Sequence, residues 1–129
     1  MWTSATSGSE GSANVRLTHT DGRTVEQGAT GDGPIDAVFK AIELATGTNV
    51  KLTKFEVRSV TEGEDAQGEA LVYCEHDGRS YRGTSISTNI IESSARAFIE
   101  VINRVQTSRH NGRLHPQPAG ELREAQAAV

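Results

Sequence analysis

The chain has 129 residues, of which 35% are hydrophobic and 5% aromatic, with 13 glycines and a net charge of −4 at pH 7. This length suits one domain with a modest core, and the acidic balance provides no basic field for nucleic acid or an anionic membrane. No apolar run approaches the roughly 20 residues of a membrane span, and the start lacks the basic and apolar regions of a signal peptide. We therefore expect a cytoplasmic protein.

Composition changes mark both ends of the predicted folded region. Residues 1–12 are almost entirely Ser, Thr, Gly and Ala, so we predict a disordered N-terminal segment. Residues 108–129 contain two prolines and few apolar side chains, which predicts a flexible C-terminal tail. The folded domain is predicted to span residues 13–107.

An internal repeat predicts two β-hairpins. Residues 19–24 (HTDGRT) are echoed by residues 75–80 (EHDGRS). Each Asp-Gly pair lies between segments in which apolar residues alternate, which is a strong signal for a hairpin turn. Each hairpin is followed by a stretch with helical spacing of apolar residues.

A glycine-rich turn opens the first predicted helix. Residues 28–37 (GATGDGPIDA) end a strand, turn, and begin a helix in which Pro34 suits the first helical position. Apolar residues recur at helical spacing as far as Ile42, and the helix is predicted to end near Thr46 and Gly47.

The start of this helix has the features of a small-anion site. The backbone amides of Ile35 and Asp36 would point out of the helix, with the positive end of its dipole behind them. The carboxylates of Asp32 and Asp36 disfavour a polyphosphate and fit a ligand that also carries an ammonium group, as a free amino acid does. The alternative is structural: the glycines only let the chain turn, and Asp32 caps the helix.

The second half of the chain repeats this order with one more strand. Alternation from Val50 to Val60 predicts a strand, and the break in its phase after Leu52 predicts a bulge or a bend. Residues 63–65 are predicted to turn the chain into a strand from about residue 67 to residue 74.

A longer helix is predicted to follow the second hairpin. Asn89 suits the cap position, and Glu92 three residues later resembles a capping box. Its apolar stripe is wider than that of the first helix, so we expect it to pack against a sheet and a second element. The predicted fold is α+β, with two pseudo-symmetric β-hairpin/helix units (ββα-βββα) whose helices pack on one face of antiparallel sheets.

The side chains that carry common chemistries show no catalytic or metal-binding pattern. Cys74 lies among apolar strand residues, which indicates a buried and inert thiol. No paired metal-ligand spacing occurs among the histidines, which are His19, His76, His110 and His115. No G-x-S-x-G elbow places a nucleophile. We expect no metal, no cofactor and no catalysis by this chain alone.

Three motifs carry a resemblance to a known family. They are residues 31–42 (GDGPIDAVFKAI), residues 63–69 (GEDAQGE), and residues 83–94 (GTSISTNIIESS) followed by Asn103. In order and spacing they resemble the C-terminal regulatory domain of 2-isopropylmalate synthase, the LeuA-type allosteric (dimerisation) domain. The resemblance spans nearly the whole predicted domain.

This resemblance implies a function. A LeuA-type domain forms a homodimer, binds leucine and inhibits a catalytic (β/α)₈ barrel, which this chain lacks because such a barrel needs about 200 residues or more. Two alternatives remain open. One is an isoleucine-sensing domain of a citramalate synthase, and the other is a purely structural dimerisation module that binds no amino acid.

The resemblance also implies which residues bind the effector. The glycine turn and the helix start would supply backbone groups to its carboxylate and ammonium, through Gly31, Gly33, Pro34, Ile35 and Asp36. The apolar side chain would be held by Leu52, Phe55, Ser59 and Ala66, with Ile86 closing the pocket. The family often has Asp where this chain has Asn89, and we expect Asn89 to act as a helix cap.

Overall fold

The computed structural model describes residues 1–59 and 67–114. Within these ranges the elements are β1 (Trp2–Ser9), β2 (Ser12–His19), β3 (Thr24–Thr30), α1 (Pro34–Thr46), β4 (Lys51–Ser59), β5 (Gly68–His76), β6 (Arg79–Ser87) and α2 (Ile90–Leu114). The first three strands form one antiparallel sheet in the order β1-β2-β3, and the next three form another in the order β4-β5-β6. The α+β class with two hairpin/helix units is confirmed.

The two Asp-Gly turns form as the repeat predicts. Asp77 and Gly78 link β5 to β6 with positive φ angles of 52° and 77°, the combination that a type I′ turn requires. Gly22, in the β2–β3 connection, also has a positive φ, of 97°. The predicted irregularity after Leu52 is confirmed by a register shift between Leu52 and Lys54.

The N-terminal segment is ordered, contrary to its predicted disorder. Residues Trp2–Ser9 form β1, which pairs with β2 along its length and makes the first unit βββα. The side chain that holds this strand is Trp2, which is 5% exposed and packs edge-on against the His19 ring. Composition predicted disorder because the remaining residues of the strand are small and polar.

The C-terminal boundary also differs. Helix α2 continues to Leu114, so residues 108–114 of the predicted flexible tail are helical. A helix already anchored by packing extends readily, because each added residue gains one hydrogen bond. The rest of the predicted tail, residues 115–129, and the predicted turn at residues 63–65 lie outside the described ranges.

The core lies between the helices and the sheets. Helix α1 packs on β2 and β3, whereas α2 packs on β5 and β6 and also contacts β1 and α1. The wide apolar stripe of α2 therefore meets a sheet and a second element, as predicted. The largest fully buried apolar side chains are Phe98, Leu17, Ile42, Ile102, Val15, Val38, Val72, Val101 and Val105.

The two helices run in the same direction. The rings of Phe39 in α1 and Phe98 in α2 stack with centroids 4.5 Å apart. Further along both helices, Gln106 Nε2 donates a hydrogen bond to Oγ1 of Thr48, two residues beyond the end of α1, at 3.1 Å. In both contacts the later residue of one segment meets the later residue of the other. The N-terminal ends of α1 and α2 therefore lie at the same end of the domain.

Candidate functional site

The predicted effector residues at the glycine turn are contiguous in the chain, Gly31–Asp36, and form the turn and the start of α1, here called the α1 seat. Gly33 is the N-cap of α1 and makes no side-chain cap, and Pro34 occupies the first turn. The first helical hydrogen bond is donated by Ala37 N to Gly33 O at 3.0 Å. Within the described part of the chain, the amides of Ile35 and Asp36 have no acceptor. Asp32 does not cap the helix.

The carboxylate of Asp36 closes one side of the α1 seat. Its Oδ2 atom accepts the backbone N–H of Asp32 at 2.9 Å and pairs with Lys40 Nζ at 3.1 Å. The hydrogen bond from Asp32, together with Lys40, holds the pKa of Asp36 below its ordinary value. Asp36 therefore stays ionised, and its carboxylate is engaged in holding the turn. The group of Asp36 that is left for a ligand is its backbone N–H, which points out of the helix.

A neighbour that the sequence analysis missed is the turn between β1 and β2. Gly11, with a φ of +68°, places its carbonyl oxygen 3.0 Å from the backbone nitrogen of Gly31, which donates a hydrogen bond to it. This contact was not expected, because residues 1–12 were predicted to be disordered. The only local signal of a turn here was the Glu10-Gly11 pair, which lies between a polar segment and the alternating strand β2.

The start of α2 is closed, in contrast to the α1 seat. The side-chain oxygen of Asn89 accepts the amides of Ile91 at 2.9 Å and Glu92 at 3.2 Å, which confirms the predicted cap. The reciprocal half of the capping box is absent, because Asn89 N–H donates to Ser87 Oγ and Glu92 pairs with Arg96. The first-turn backbone amides are therefore bonded to a cap at the start of α2 and are free at the start of α1.

Strand β4 provides an apolar surface on the side of the helices. Phe55 pairs with Val72 and Val57 with Ala70, so these side chains share the face that packs on α2. The Phe55 ring meets Phe39 of α1 edge-on at 5.7 Å.

Helix α1 leaves part of this surface uncovered. Leu52 and Val57 remain 44% and 48% exposed. By register, the predicted pocket residue Ser59 lies opposite Gly68 on the same face. We call the surface formed by Leu52, Phe55 and Val57 the β4 face.

The structure does not bring Ile86 to this surface. Ile86 pairs with Glu69, which pairs in turn with Arg58, so these three residues share the opposite face of the second sheet. Side chains alternate along a strand, and an offset of one residue reverses the face. Ala66, the other predicted pocket residue, lies outside the described ranges.

Ser94 is a second residue that sequence reasoning missed. It is fully buried, and its Oγ atom has no hydrogen-bond partner. Ser94 lies one turn before Phe98 in α2, as Ile35 lies one turn before Phe39 in α1, and the two phenylalanine rings are stacked. The Ser93-Ser94 pair in a helix gives no sign in the sequence that one of its hydroxyls is buried without a partner.

Two titratable groups lie between α1 and the second sheet. Burial raises the pKa of Glu43, whose Oε2 atom accepts the Val50 amide at 3.1 Å. Burial raises the pKa of the Cys74 thiol to about 12, with a smaller contribution from Glu43. The expected burial of this thiol is confirmed by its 1% exposure.

Residues 1–59 and 67–114 contain neither a metal-binding cluster nor a membrane-spanning helix. No three His, Cys, Asp or Glu side chains converge there to hold a metal ion. None of the helices in these ranges combines the length and apolar character needed to cross a bilayer.

Comparison with known proteins identifies the family. Residues 2–106 match the model of the LeuA allosteric (dimerisation) domain. The chain is 45% identical over 105 residues to a 2-isopropylmalate synthase of Xanthomonas campestris pv. campestris, covering 81% of this chain and 20% of that protein. It is 44% identical over 116 residues to the 2-isopropylmalate synthase of Stenotrophomonas maltophilia, covering 87% and 22%. The chain spans about a fifth of the length of these relatives. It belongs to the LeuA allosteric (dimerisation) domain family.

Proposed function

We propose that this chain is a regulatory module that binds free leucine at the α1 seat and mediates feedback inhibition of a 2-isopropylmalate synthase. The observation that carries the proposal is the contrast between the two helix starts. Asn89 caps α2, whereas the amides of Ile35 and Asp36 at the start of α1 are free. An open helix start beside an apolar surface suits a ligand with a carboxylate and an aliphatic chain.

Each part of leucine has a partner in this proposal. The carboxylate accepts hydrogen bonds from the free amides, with the dipole of α1 behind them. The exposed carboxylate of Asp32 attracts the ammonium group. The isobutyl group packs toward the β4 face, where Phe55 is half-buried and Leu52 is exposed.

The same surface supports a homodimer. Leu44 on α1 is 63% exposed, and Leu52 and Val57 on β4 are also exposed. Large exposed apolar side chains of this kind are common at protein interfaces. We infer that a second copy covers this surface, and that the dimer acts on a catalytic barrel carried by another domain or chain in the cytoplasm. Leucine inhibits only if it binds one arrangement of that assembly better than another.

Isoleucine as effector of a citramalate synthase is a second candidate, because leucine and isoleucine differ only in the placement of a methyl group. Such a difference is worth about 1–3 kcal/mol in an apolar pocket. A structural module without ligand is a third candidate, favoured by the hydrogen bonds that already hold the turn.

Calorimetric titration with leucine tests the proposal, with isoleucine and valine as competitors. We expect saturable leucine binding and, at a hundredfold excess over Kd, a gain of about 2.7 kcal/mol in unfolding free energy. A preference for isoleucine would favour the citramalate alternative. A dimer that none of the three amino acids binds or stabilises would leave only the structural role.

A further inference from the structure

Strand β1 connects the α1 seat to the other end of the domain. After its last residue, the chain turns through Gly11, whose carbonyl accepts the N–H of Gly31 in the α1 seat. Its first residue, Trp2, lies beside the C-terminal part of α2. The eight residues between these points span about 26 Å of extended chain.

The Trp2 end is anchored by side chains of α2. Asn103 Oδ1 accepts the Trp2 backbone N–H at 2.8 Å, and Asn103 Nδ2 donates to the Trp2 carbonyl at 3.2 Å. The indole Nε1 atom donates to Gln106 Oε1 at 3.2 Å, and Gln106 in turn donates to Thr48. The start of β1 is therefore joined to α2 and to the segment that follows α1.

In the second unit, as far as the structure describes it, a helix side chain also binds the start of the first strand: Val50 N–H donates to Glu43 Oε2 at 3.1 Å. Strand β1 packs against both helices. Strand β4, the first strand of the second unit, instead leaves Leu52 and Val57 exposed. Strand β1 is thus held at the α1 seat through Gly11 and at the far end of the helix pair through Trp2.

We propose that β1 transmits occupancy of the α1 seat to the Trp2 end of the domain. This inference rests on the proposed leucine binding. A ligand that orders the glycine turn strengthens the hydrogen bond from Gly31 to Gly11 and so favours the docked position of β1.

Trp2 is the only tryptophan, so its emission reports directly on the far end of β1. Leucine is titrated at fixed pH while binding heat, Trp2 emission and amide exchange of residues 2–9 are measured. We expect an emission change with the calorimetric Kd and slower exchange along β1. Binding without either change overturns the coupling and leaves the proposed function standing, whereas absence of binding overturns both.

Matched glycine variants separate coupling from general strain. Gly11→Ala places a Cβ in a turn with φ +68°, 3.3 Å from the Gly31 carbonyl oxygen. We expect it to lose more than half of the leucine-dependent Trp2 change. Gly78→Ala has a similar φ of +77° but meets nothing within 4 Å, and should retain the full change. Equal responses in the two variants would contradict the proposal.

A second variant tests the same coupling from the other end. Asn103→Ala removes both hydrogen bonds to the Trp2 backbone. Because coupling between two sites is reciprocal, we expect the Kd for leucine to change about fivefold or more. Arg104→Ala, on the neighbouring position of α2, should leave the Kd unchanged. An unchanged Kd in Asn103→Ala overturns the proposal even if Gly11→Ala fails to fold.

Discussion

Gly83 in β6 lies directly against the carbonyl group of Ala97 in α2. A Cβ atom on Gly83 would stand 3.0 Å from the Ala97 carbonyl carbon and 3.1 Å from Val101 Cγ2, and it would overlap the Ala97 oxygen. Glycine is needed here for close approach of two backbones. This contact sets the depth at which α2 rests on the second sheet, and thereby the position of Phe98 against Phe39.

We expect Gly83→Ala to destabilise the fold by about 1–3 kcal/mol, because a helix backbone cannot move aside as a flexible side chain can. Urea unfolding measures the change. Gly33→Ala is the control for an added Cβ that meets nothing within 4 Å, and its expected cost of about 1 kcal/mol for a poorer N-cap is the baseline for comparison. Similar unfolding midpoints for Gly83→Ala and the wild type would show that α2 is not held at this depth.

Gly33→Val should abolish leucine binding while the fold and the dimer persist. The φ of Gly33 is −168°, an extended conformation that any residue adopts, and the space around its Cβ is open. The added side chain would therefore occupy the space beside the free amides, at a cost of about 1 kcal/mol for a poorer N-cap. Calorimetry and sedimentation measure the two properties. Tight leucine binding by this variant would exclude the α1 seat.

The stability of the chain should depend on pH through Glu43. Burial raises the pKa of Glu43 above its ordinary value of 4.5, so the folded chain binds this proton more tightly than the unfolded chain does. This contribution is present below the ordinary value and is lost as pH rises through the raised pKa.

Glu43→Gln removes that dependence and keeps an oxygen that can accept the Val50 amide. We expect the variant to gain stability relative to wild type as pH rises from about 4 to 7, measured by urea unfolding. Glu75→Gln, at an exposed position of β5, is the control. A constant difference across this range would contradict the burial of the Glu43 carboxylate.

Cys74 should react with a thiol reagent only after unfolding. Its pKa is raised from 9.0 to about 12, which lowers the thiolate fraction at pH 8 about thousandfold, and the side chain is 1% exposed. Labelling at pH 8 with and without urea measures the difference. Rapid labelling of the folded chain would show that the space between α1 and the second sheet opens frequently.

The features that were predicted correctly from the sequence are those that depend on residues close together in the chain. The Asp77-Gly78 turn, the end of α1 at Gly47, the irregularity after Leu52 and the Asn89 cap each depend on residues close together in the chain. Turn conformation and helix capping depend on groups a few residues apart. The residue types that produce them can therefore be recognised directly in the sequence. The α1 seat belongs to this class.

The tertiary structure decided the features that join distant parts of the chain. Strand β1 is ordered because Asn103 and Gln106, more than a hundred residues away, accept hydrogen bonds from Trp2. Ile86 faces away from Phe55 because strand register, which composition does not reveal, sets the face. The sequence by itself determined the turns, caps and family of this protein. The pairing of β1, the burial of Ser94 and the exposure of the β4 face required the packed structure, because burial and long-range pairing exist only there.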